Sequence, residues 1–313
     1  MLDKLNFIKG IICVGLIGSM FQVHAEVLVI LPESGPMARA GNSIKLGIDA
    51  AHQASKANIQ LKFVNSDQKN IKSILKAHMT KTTQMVIGPL ARSDVESLIL
   101  ENPKIPVLAL NEVSQQHRNV WQYSLSKDED ATALLGVLLK DQIHDIFVIR
   151  ESGTESDSLS FVNALYKKFP GNVSIVEAMP RLKDKQGILL LGGNTWLNKL
   201  KNKPSHSIYA QAISIEDSQP IPNGLKFCDV PAVYLGRWSD VVNVYQNNPT
   251  TMAYQRLYAF GGDAWHVAEQ FVLNPKVKNL SFSGRTGKIN ISSNRIERAP
   301  QCFEKKRSGL VAL

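Results

Sequence analysis

Cysteine and aromatic residues are scarce in this chain of 313 residues. It has three cysteines, and phenylalanine, tryptophan and tyrosine together make up 7% of its residues. So few cysteines exclude a small secreted domain that is held together by several disulfides. The remaining composition, 44% hydrophobic and 20% charged, is that of an ordinary globular protein and excludes disordered and collagen-like chains. The length leaves room for two compact domains.

The sequence motifs of common enzyme classes are also missing. There is no Gly-x-Ser-x-Gly, no His-Glu-x-x-His and no glycine-rich phosphate loop, and the seven histidines are dispersed. Residues 66–69, 73–76 and 124–127 match Ser-x-x-Lys. In a chain rich in serine and lysine, about two such matches arise by chance. The companion motifs of a penicillin-binding acyl enzyme are absent. We therefore predict that the protein is not an enzyme, and we assign it no catalytic residue, no metal site and no cofactor.

Long apolar runs are missing except near the amino terminus. A basic, polar start precedes residues 11–21, which are apolar or small and lead to the small residue Ala25. This order is typical of a secretory signal peptide, so we predict that residues 1–25 are removed and that the remainder is exported to the periplasm. The run is short for a membrane anchor. Cys13 does not follow a lipoprotein box, so we expect neither lipid attachment nor a transmembrane segment in the mature chain.

The chain is basic, which bears on its partners but not on its fold. Its formal net charge is +9, and its sequence pI is about 9.4. Lysine and arginine side chains usually form a solvated face. The alternative is a basic patch that meets an acidic protein, a cell-wall polymer or lipid headgroups. We do not expect nucleic acid as a partner of an exported protein. Basic residues gather late in the chain, at Arg285, Lys288, Arg295, Arg298, Lys305, Lys306 and Arg307.

Apolar runs and amphipathic segments alternate along the chain. The continuous apolar run 27–31 is typical of a buried parallel strand, and the helix predicted after it places Ile44, Ile48 and Ala51 on one face. This order predicts an α/β protein with two lobes, each a mostly parallel sheet flanked by helices. Further strands are predicted at 59–64, 85–87, 106–110, 146–149, 173–176 and 188–191, followed by a long helix over 256–273 and a glycine-rich hairpin over 281–285.

The two series of strands and helices are not separated by a linker or by tandem repeats. We therefore expect the chain to cross between the lobes more than once. We assign residues 26–123 and 237–293 to the first lobe, and residues 124–236 and 294–313 to the second. Ligands of such folds bind outside the carboxyl ends of the strands, so a cleft between the lobes is the expected site.

Five residues near predicted strand ends are candidates for lining that cleft. Ser34 and Gly35 lie between a strand and a helix, where backbone N–H groups bind anions, although plain turn chemistry explains them too. Ser93 begins a helix and Asn111 ends a strand, so capping and a turn are the alternatives to ligand contact. Thr154 reaches the cleft from the second lobe or simply begins a helix.

Cys228 and Cys302 remain once the predicted signal peptide is removed. The periplasm permits disulfides, and closing a loop of this length adds about 4 kcal/mol in the chain-entropy model. The alternative is two free buried thiols, because the sequence does not give the distance between them.

Several segments resemble a known family. The segments 31–36, 87–90, 106–111 and 124–130 lie where type I periplasmic binding proteins place their strand-end loops. The segments 226–231 and 256–265 are more specific and resemble the C-terminal domain of the LpoA family, the penicillin-binding protein activators. Further segments that resemble this domain are 88–90, 95–98, 280–287 and 295–298.

The resemblance covers essentially the whole predicted mature chain. It implies a type I periplasmic-binding-protein fold and a protein that binds and regulates a peptidoglycan synthase, a class A penicillin-binding protein. Family members carry a helical-repeat domain before this one and a lipoprotein box, and we expect this chain to lack both. The resemblance names no contact residue for the synthase.

Relatives that bind amino acids leave a second function open. In them a helix residue faces the amino group of the ligand, and Asp263 resembles that residue. A structural hydrogen bond from a neighbouring loop is the alternative role for Asp263. The alternative function is a periplasmic solute-binding protein of a transporter, with an amino acid or a similar small polar molecule as its ligand.

Overall fold

Strands and helices alternate along most of the chain in the computed structural model, which describes residues 25–217, 219–277 and 279–313. The predicted signal peptide, apart from Ala25, lies outside these residues. No helix in the described ranges is long and apolar enough to cross a membrane. In chain order the elements are β1 (Ala25–Leu31), α1 (Ala38–Ser55), β2 (Ile59–Asn65), α2 (Ile71–His78), β3 (Thr83–Ile87), α3 (Arg92–Leu100), β4 (Val107–Ala109), β5 (Val120–Gln122), α4 (Lys127–Lys140), β6 (Asp145–Arg150), α5 (Glu155–Lys168), β7 (Asn172–Ile175), β8 (Gln186–Leu191), α6 (Asn194–Lys199), β9 (Ile208–Ala210), β10 (Leu225–Asp229), α7 (Ala232–Leu235), α8 (Ser239–Asn247), α9 (Met252–Leu273), β11 (Asn279–Ser283), β12 (Lys288–Ser292), β13 (Arg295–Ala299), β14 (Gln301–Lys306) and β15 (Gly309–Ala312).

The first lobe is built on a five-stranded sheet whose pairs are all parallel. Its order is β2-β1-β3-β4-β5. Strand β1 lies between two neighbours and is buried on both faces, which explains why its sequence is a continuous aliphatic run rather than an alternating one. Helices α1, α2 and α3 connect successive strands, as parallel pairing requires.

The second lobe is built on a seven-stranded sheet in the order β15-β14-β10-β9-β8-β6-β7. The five strands from β10 to β7 pair in parallel, whereas β14 and β15 are added in antiparallel pairs. The two sheets and their flanking helices confirm the predicted fold class.

A third, three-stranded sheet was predicted only as a hairpin. Strands β11, β12 and β13 form an antiparallel meander, and Ile289, Ile291 and Ile296 on one face enter the core of the first lobe. The predicted boundary at 293/294 therefore separates two paired strands. The residues of β13 pair with β12 of the first lobe, and the chain joins the seven-stranded sheet only at β14.

Helices α1 and α9 pack closely because glycines lie at their contact. A Cβ atom at Gly47 would collide with the carbonyl oxygen of Tyr258, and one at Gly261 would collide with that of Ile44. Since both neighbours are backbone atoms, neither side can rotate away. The contact therefore requires glycine at both positions.

A methyl group at this contact will destabilise the fold. We expect Gly261→Ala to lower the free energy of unfolding by about 2 kcal/mol, because the helices must separate to admit it. Urea denaturation measures the change. Gly136→Ala in α4 is the matched control: nothing lies within 4 Å of its Cβ position. It should leave stability unchanged or raise it by up to about 1 kcal/mol. Equal losses in both variants would contradict the packing argument.

Cys228 and Cys302 lie directly opposite each other in the antiparallel pair of β10 and β14. Their sulfur atoms are joined in a disulfide that closes a sequence separation of 74 residues. The bond ties the last long strand of the chain to the parallel part of the second sheet.

Candidate functional site

A cavity of about 570 Å³ lies between the two lobes. The first lobe contributes residues that follow β3 and β4, among them Leu90 and Asn111. The second lobe contributes the start of α4 and one face of α5, including Ser160 and Lys167. Apolar surface comes from Phe260 of α9 and its neighbours. The position matches the expected cleft, but its lining differs from the expected one.

Of the predicted cleft residues, Asn111 is the one that lines this cavity. Its Nδ2 donates to the carbonyl oxygen of Leu90 at 3.0 Å, and its Oδ1 accepts from the backbone N–H of Glu112 at 2.9 Å. The amide therefore holds the loops after β3 and β4 together. The side chain is already engaged within the first lobe.

Ser34, Gly35, Ser93 and Thr154 lie outside the lining of this cavity. The backbone N–H and the hydroxyl of Ser34 donate to Asp67 at 2.9 and 3.0 Å. Gly35 has a φ of +66°, the left-handed turn conformation that glycine adopts readily. The hydroxyl of Thr154 donates to the carbonyl oxygen of Glu151 at 2.8 Å, and Ser93 is exposed in the first turn of α3. These contacts are the turn and helix-end interactions considered as alternatives to ligand binding.

Asp263 is fully buried and faces a loop of its own lobe. Its carboxylate accepts hydrogen bonds from the backbone N–H groups of Arg285 and Thr286, both at 2.8 Å, and from the Thr286 hydroxyl at 2.7 Å. A Cβ atom at Gly284 would lie 2.7 Å from the carboxylate, which explains the glycine there. Burial raises the pKa of Asp263, and the bonds from Arg285 and Thr286 oppose that rise. The geometry gives Asp263 a structural role in fixing the turn between β11 and β12.

Three arginines join separate parts of the fold, a role that the sequence did not indicate. We call Arg256, Arg285 and Arg298 the crossover arginines, because each lies near a passage of the chain between the lobes. Arg298 is 5% exposed, and the side chains of the other two are largely covered. The expectation of a solvated basic face is therefore wrong for Arg285 and Arg298, since carboxylates surround both.

Arg256 links α9 of the first lobe to β10 of the second. Its Nε and Nη2 donate to the two carboxylate oxygens of Asp229 at 2.8 and 2.7 Å, a bidentate ion pair. Nη2 also donates to the carbonyl oxygen of Ala212 at 2.9 Å. Burial lowers the pKa of Arg256, but the Asp229 carboxylate outweighs it and holds that pKa above its ordinary value. The two most specific sequence blocks, 226–231 and 256–265, meet in this pair.

The same helix end also contributes apolar contacts to the second lobe. Met252, the first residue of α9, is 3% exposed and belongs to the core cluster that contains Leu190 and Phe227 of the second sheet. Helix α9 is therefore buried in both lobes.

Arg298 links β13 to the start of α4. Its backbone N–H donates to Glu129 Oε1, and its Nη2 donates to Asp130 Oδ1, both at 2.6 Å. Its Nε lies 3.2 Å from Glu129 Oε2, an ion pair without the alignment of a hydrogen bond. Burial raises the pKa of Glu129 to about 7; Arg298 opposes this rise, whereas Glu112 and Asp130 add to it.

Arg285 joins the β11–β12 turn to α8 and to α7, near the point where the chain returns from the second lobe to the first. Its Nε donates to Asp240 Oδ2 at 2.8 Å, and its carbonyl oxygen accepts from the backbone N–H of Ala232 at 3.0 Å. The three crossover arginines thus hold each passage between the lobes through side-chain ion pairs or backbone hydrogen bonds.

Comparison with known proteins gives the family. Residues 16–152 and 200–307 match the model of the family described as "LppC putative lipoprotein". The chain belongs to the LppC family. The family description indicates a protein of the cell envelope.

This LppC-family chain is also similar to named proteins. It is 23% identical over 331 residues to the penicillin-binding protein activator LpoA of Pasteurella multocida, covering 96% of this chain and 57% of that one. The C-domain of LpoA from Haemophilus influenzae, described as a regulator of PBP1A, superposes with a TM-score of 0.72 and 18% identity, covering 92% of this chain and 100% of that one. A type 1 periplasmic binding protein from Bordetella pertussis superposes with a TM-score of 0.54 and 13% identity, covering 93% and 99%.

These findings confirm the resemblance to the LpoA C-terminal domain and the type I periplasmic-binding-protein fold. The LppC-family chain spans about half the length of the curated relatives it matches.

Ion pairs and backbone hydrogen bonds connect the two lobes in the described part of the LppC-family chain. Within it, no group of three or more histidine, cysteine, aspartate or glutamate side chains is placed to hold a metal ion. Arg256, Arg285 and Arg298 each pair with a carboxylate of another element, and most predicted cleft residues bond to their own lobe. The arrangement can present a fixed two-lobed surface to a partner.

Glu129 should make the stability of the LppC-family chain depend on pH. Its pKa of about 7 lies above the ordinary value of 4.5, so the folded state holds the proton more tightly than the unfolded state. This contribution is fully present below pH 4.5 and is lost as the pH rises through about 7. The shift corresponds to at most about 3 kcal/mol.

Urea denaturation at a series of pH values tests this contribution. The wild-type free energy of unfolding should fall between pH 4.5 and 7, whereas Glu129→Gln should give a flatter profile over that range. Glu96→Gln, which removes an exposed carboxylate of α3, is the control and should keep the wild-type slope. A Glu129→Gln profile that parallels the wild type would rule out this source of pH dependence.

Proposed function

We propose that this LppC-family chain is an exported, non-enzymatic regulator that works in the periplasm. It binds a peptidoglycan synthase, a class A penicillin-binding protein, and activates it. The observation that carries the proposal is the likeness to the LpoA C-domain, which extends over 92% of this chain and the whole of that domain. The names of relatives such as the Pasteurella multocida protein supply the partner and the direction of the effect.

The contacts between the lobes agree with this function. A solute-binding protein closes its lobes on a ligand by hinge motion. In this chain Arg256 and Met252 of α9 bind within the second lobe, and Arg298 binds to α4. Closing or opening the lobes would strain these buried contacts. A fixed pair of lobes suits a protein that docks on another protein.

Activation follows from a difference in affinity. A regulator with no chemistry of its own shifts the equilibrium between synthase conformations only if it binds the active conformation more tightly. A coupling free energy of about 1–3 kcal/mol corresponds to a roughly 5- to 150-fold preference.

A solute-binding protein of a transporter is the second candidate. The cavity of about 570 Å³ favours it, because Arg92 and Lys167 line it from opposite lobes. Within the described ranges no carboxylate forms an ion pair with either side chain. Such a cavity suits a small ligand with a carboxylate.

Thermal unfolding and direct binding separate the two candidates. Amino acids and muropeptides are screened for an increase in melting temperature, since a ligand at 100 times its dissociation constant adds about 2.7 kcal/mol. The immobilised chain is then exposed to a purified class A penicillin-binding protein. We expect binding of the synthase and no shift with any amino acid. A shift with one amino acid and no synthase binding would favour transport instead.

A further inference from the structure

A second and larger concave surface lies beside the connection between β5 and α4, where the chain first passes from one lobe to the other. We call it the α4–β13 groove; its volume is about 1050 Å³. One wall is a face of α4 with small side chains at Thr132, Ala133 and Gly136. The opposite wall is strand β13, and the connection between β4 and β5 closes one side through Glu112 and its neighbours. The groove thus contains residues of both lobes.

Strand β13 presents a free edge to this groove. It pairs with β12 on one side only. The backbone N–H of Arg298 points away from β12, toward Glu129, so by alternation the N–H of Ile296 lies on the same outer edge. Within the described ranges, neither the N–H nor the carbonyl oxygen of Ile296 has a hydrogen-bond partner, and the carbonyl oxygen of Arg298 has none either. These are the groups that an added strand pairs with.

The small side chains of α4 leave space in front of that edge. Nothing lies within 4 Å of a Cβ atom built at Gly136, which is exposed. A helix with larger side chains at these positions would fill the groove. The opening is therefore a property of this face of α4.

The groove also has an excess of negative charge. Its lining contains four carboxylates, those of Glu112, Asp128, Glu129 and Glu297, and two guanidinium groups, those of Arg295 and Arg298. Within the described ranges Glu112 forms no ion pair and is half-buried at the groove wall. A lysine or arginine placed beside Glu112 would balance this charge.

We propose that the α4–β13 groove is a docking site for an extended segment of a partner protein. The segment adds as a strand to the free edge of β13 and places a basic side chain near Glu112. This inference rests on the proposed function, in which the partner is a class A penicillin-binding protein. Because the groove walls come from both lobes, the bound segment contacts both.

A substitution that fills the groove tests the proposal. The full chain is purified from the periplasm, and its affinity for a purified class A penicillin-binding protein is measured. Gly136→Gln adds a neutral side chain to the open space, and we expect it to weaken binding at least about tenfold. Leu139→Gln, three residues further along the same helix and 50% exposed, lies outside the groove lining and should bind as the wild type does.

Charge reversal at Glu112 tests the proposed contact with a basic side chain of the partner. Glu112→Lys should weaken binding at least about tenfold. Added salt should reduce the difference in affinity between this variant and the wild type. Glu96→Lys makes the same change on an exposed position of α3, outside the groove, and should have little effect.

Hydrogen exchange tests strand addition directly. Bound synthase should slow exchange in the peptide that contains β13 in the wild type, because the N–H of Ile296 gains a partner.

The outcomes separate this inference from the proposed function. If the synthase binds the wild type and Gly136→Gln equally, the groove is not the docking site, although the proposed function stands. Unchanged exchange at β13 in the bound wild type would overturn strand addition in the same way. If the wild type binds no synthase at all, both proposals fail.

Discussion

Replacing Asp229 by asparagine will lower the free energy of unfolding by about 3–5 kcal/mol. The substitution keeps the size of the side chain but removes its charge, so the guanidinium of Arg256 is left buried without a counter-ion. Its bidentate contacts at 2.7 and 2.8 Å and its contact with Ala212 show how closely the charge is enclosed. The measurement is urea denaturation followed by circular dichroism. A loss below about 1 kcal/mol would contradict a stabilising role for the buried ion pair of Arg256 and Asp229.

Two further variants identify the cause. Asp229→Asn combined with Arg256→Met removes both charges and should recover much of the lost stability, because neutral pairs avoid the desolvation of a buried ion. Glu101→Gln is the matched control, since it breaks an ion pair with Lys72 whose side chains are 30% and 75% exposed. An exposed pair of this kind contributes about 0–1 kcal/mol.

Loss of the disulfide will have an effect of similar size. Changing Cys228 and Cys302 together to serine should lower the free energy of unfolding by about 4 kcal/mol, because the 74-residue separation is no longer closed in the unfolded chain. The two residues face each other in a strand pair, so the folded state should change little. The measurement is urea denaturation of the double variant and of the wild type, each with and without reductant.

Reductant separates the disulfide from other effects of the substitution. It should bring the wild type to the stability of the double variant and leave the double variant itself unchanged. Mass spectrometry of the oxidised, unfolded chain after alkylation should find both cysteines protected. Two alkylated cysteines would mean that the thiols are free in solution.

The general fold could be predicted because its signals are local. The aliphatic run of β1 and the apolar face of α1 are each visible within a few residues. The order of such segments was enough to predict parallel sheets and two lobes. The sheet β11–β13 was harder, because its isoleucines alternate with polar residues over short strands whose other face is exposed.

The contacts at the crossings depend on residues that are distant in sequence. Asp229 and Arg256 are separated by 27 positions and lie in different lobes. Arg298 meets Glu129 and Asp130 from the other end of the chain. A surface position is the usual expectation for an arginine. One signal was available: Asp229 comes directly after the apolar residues Phe227 and Cys228, and a buried carboxylate needs a partner.

The sequence leaves the roles of the candidate cleft residues open for a related reason. Asp263 was predicted either to face a ligand or to bond to a loop, and the sequence could not separate these roles. The choice depends on the position of residues 284–286, which only the packing of the third sheet fixes. Ser34 and Thr154 likewise lie at strand ends, as predicted, but their side chains bond to neighbours within their own lobes.

The central claim is that this LppC-family chain acts by recognising a synthase. It is tested most directly by the rate of glycan synthesis of a purified class A penicillin-binding protein, measured with increasing amounts of the purified chain. The account predicts that the rate rises with the fraction of synthase bound and then levels off, and that amino acids do not alter the curve. An unchanged rate, with no complex formed at saturating concentrations, would contradict it.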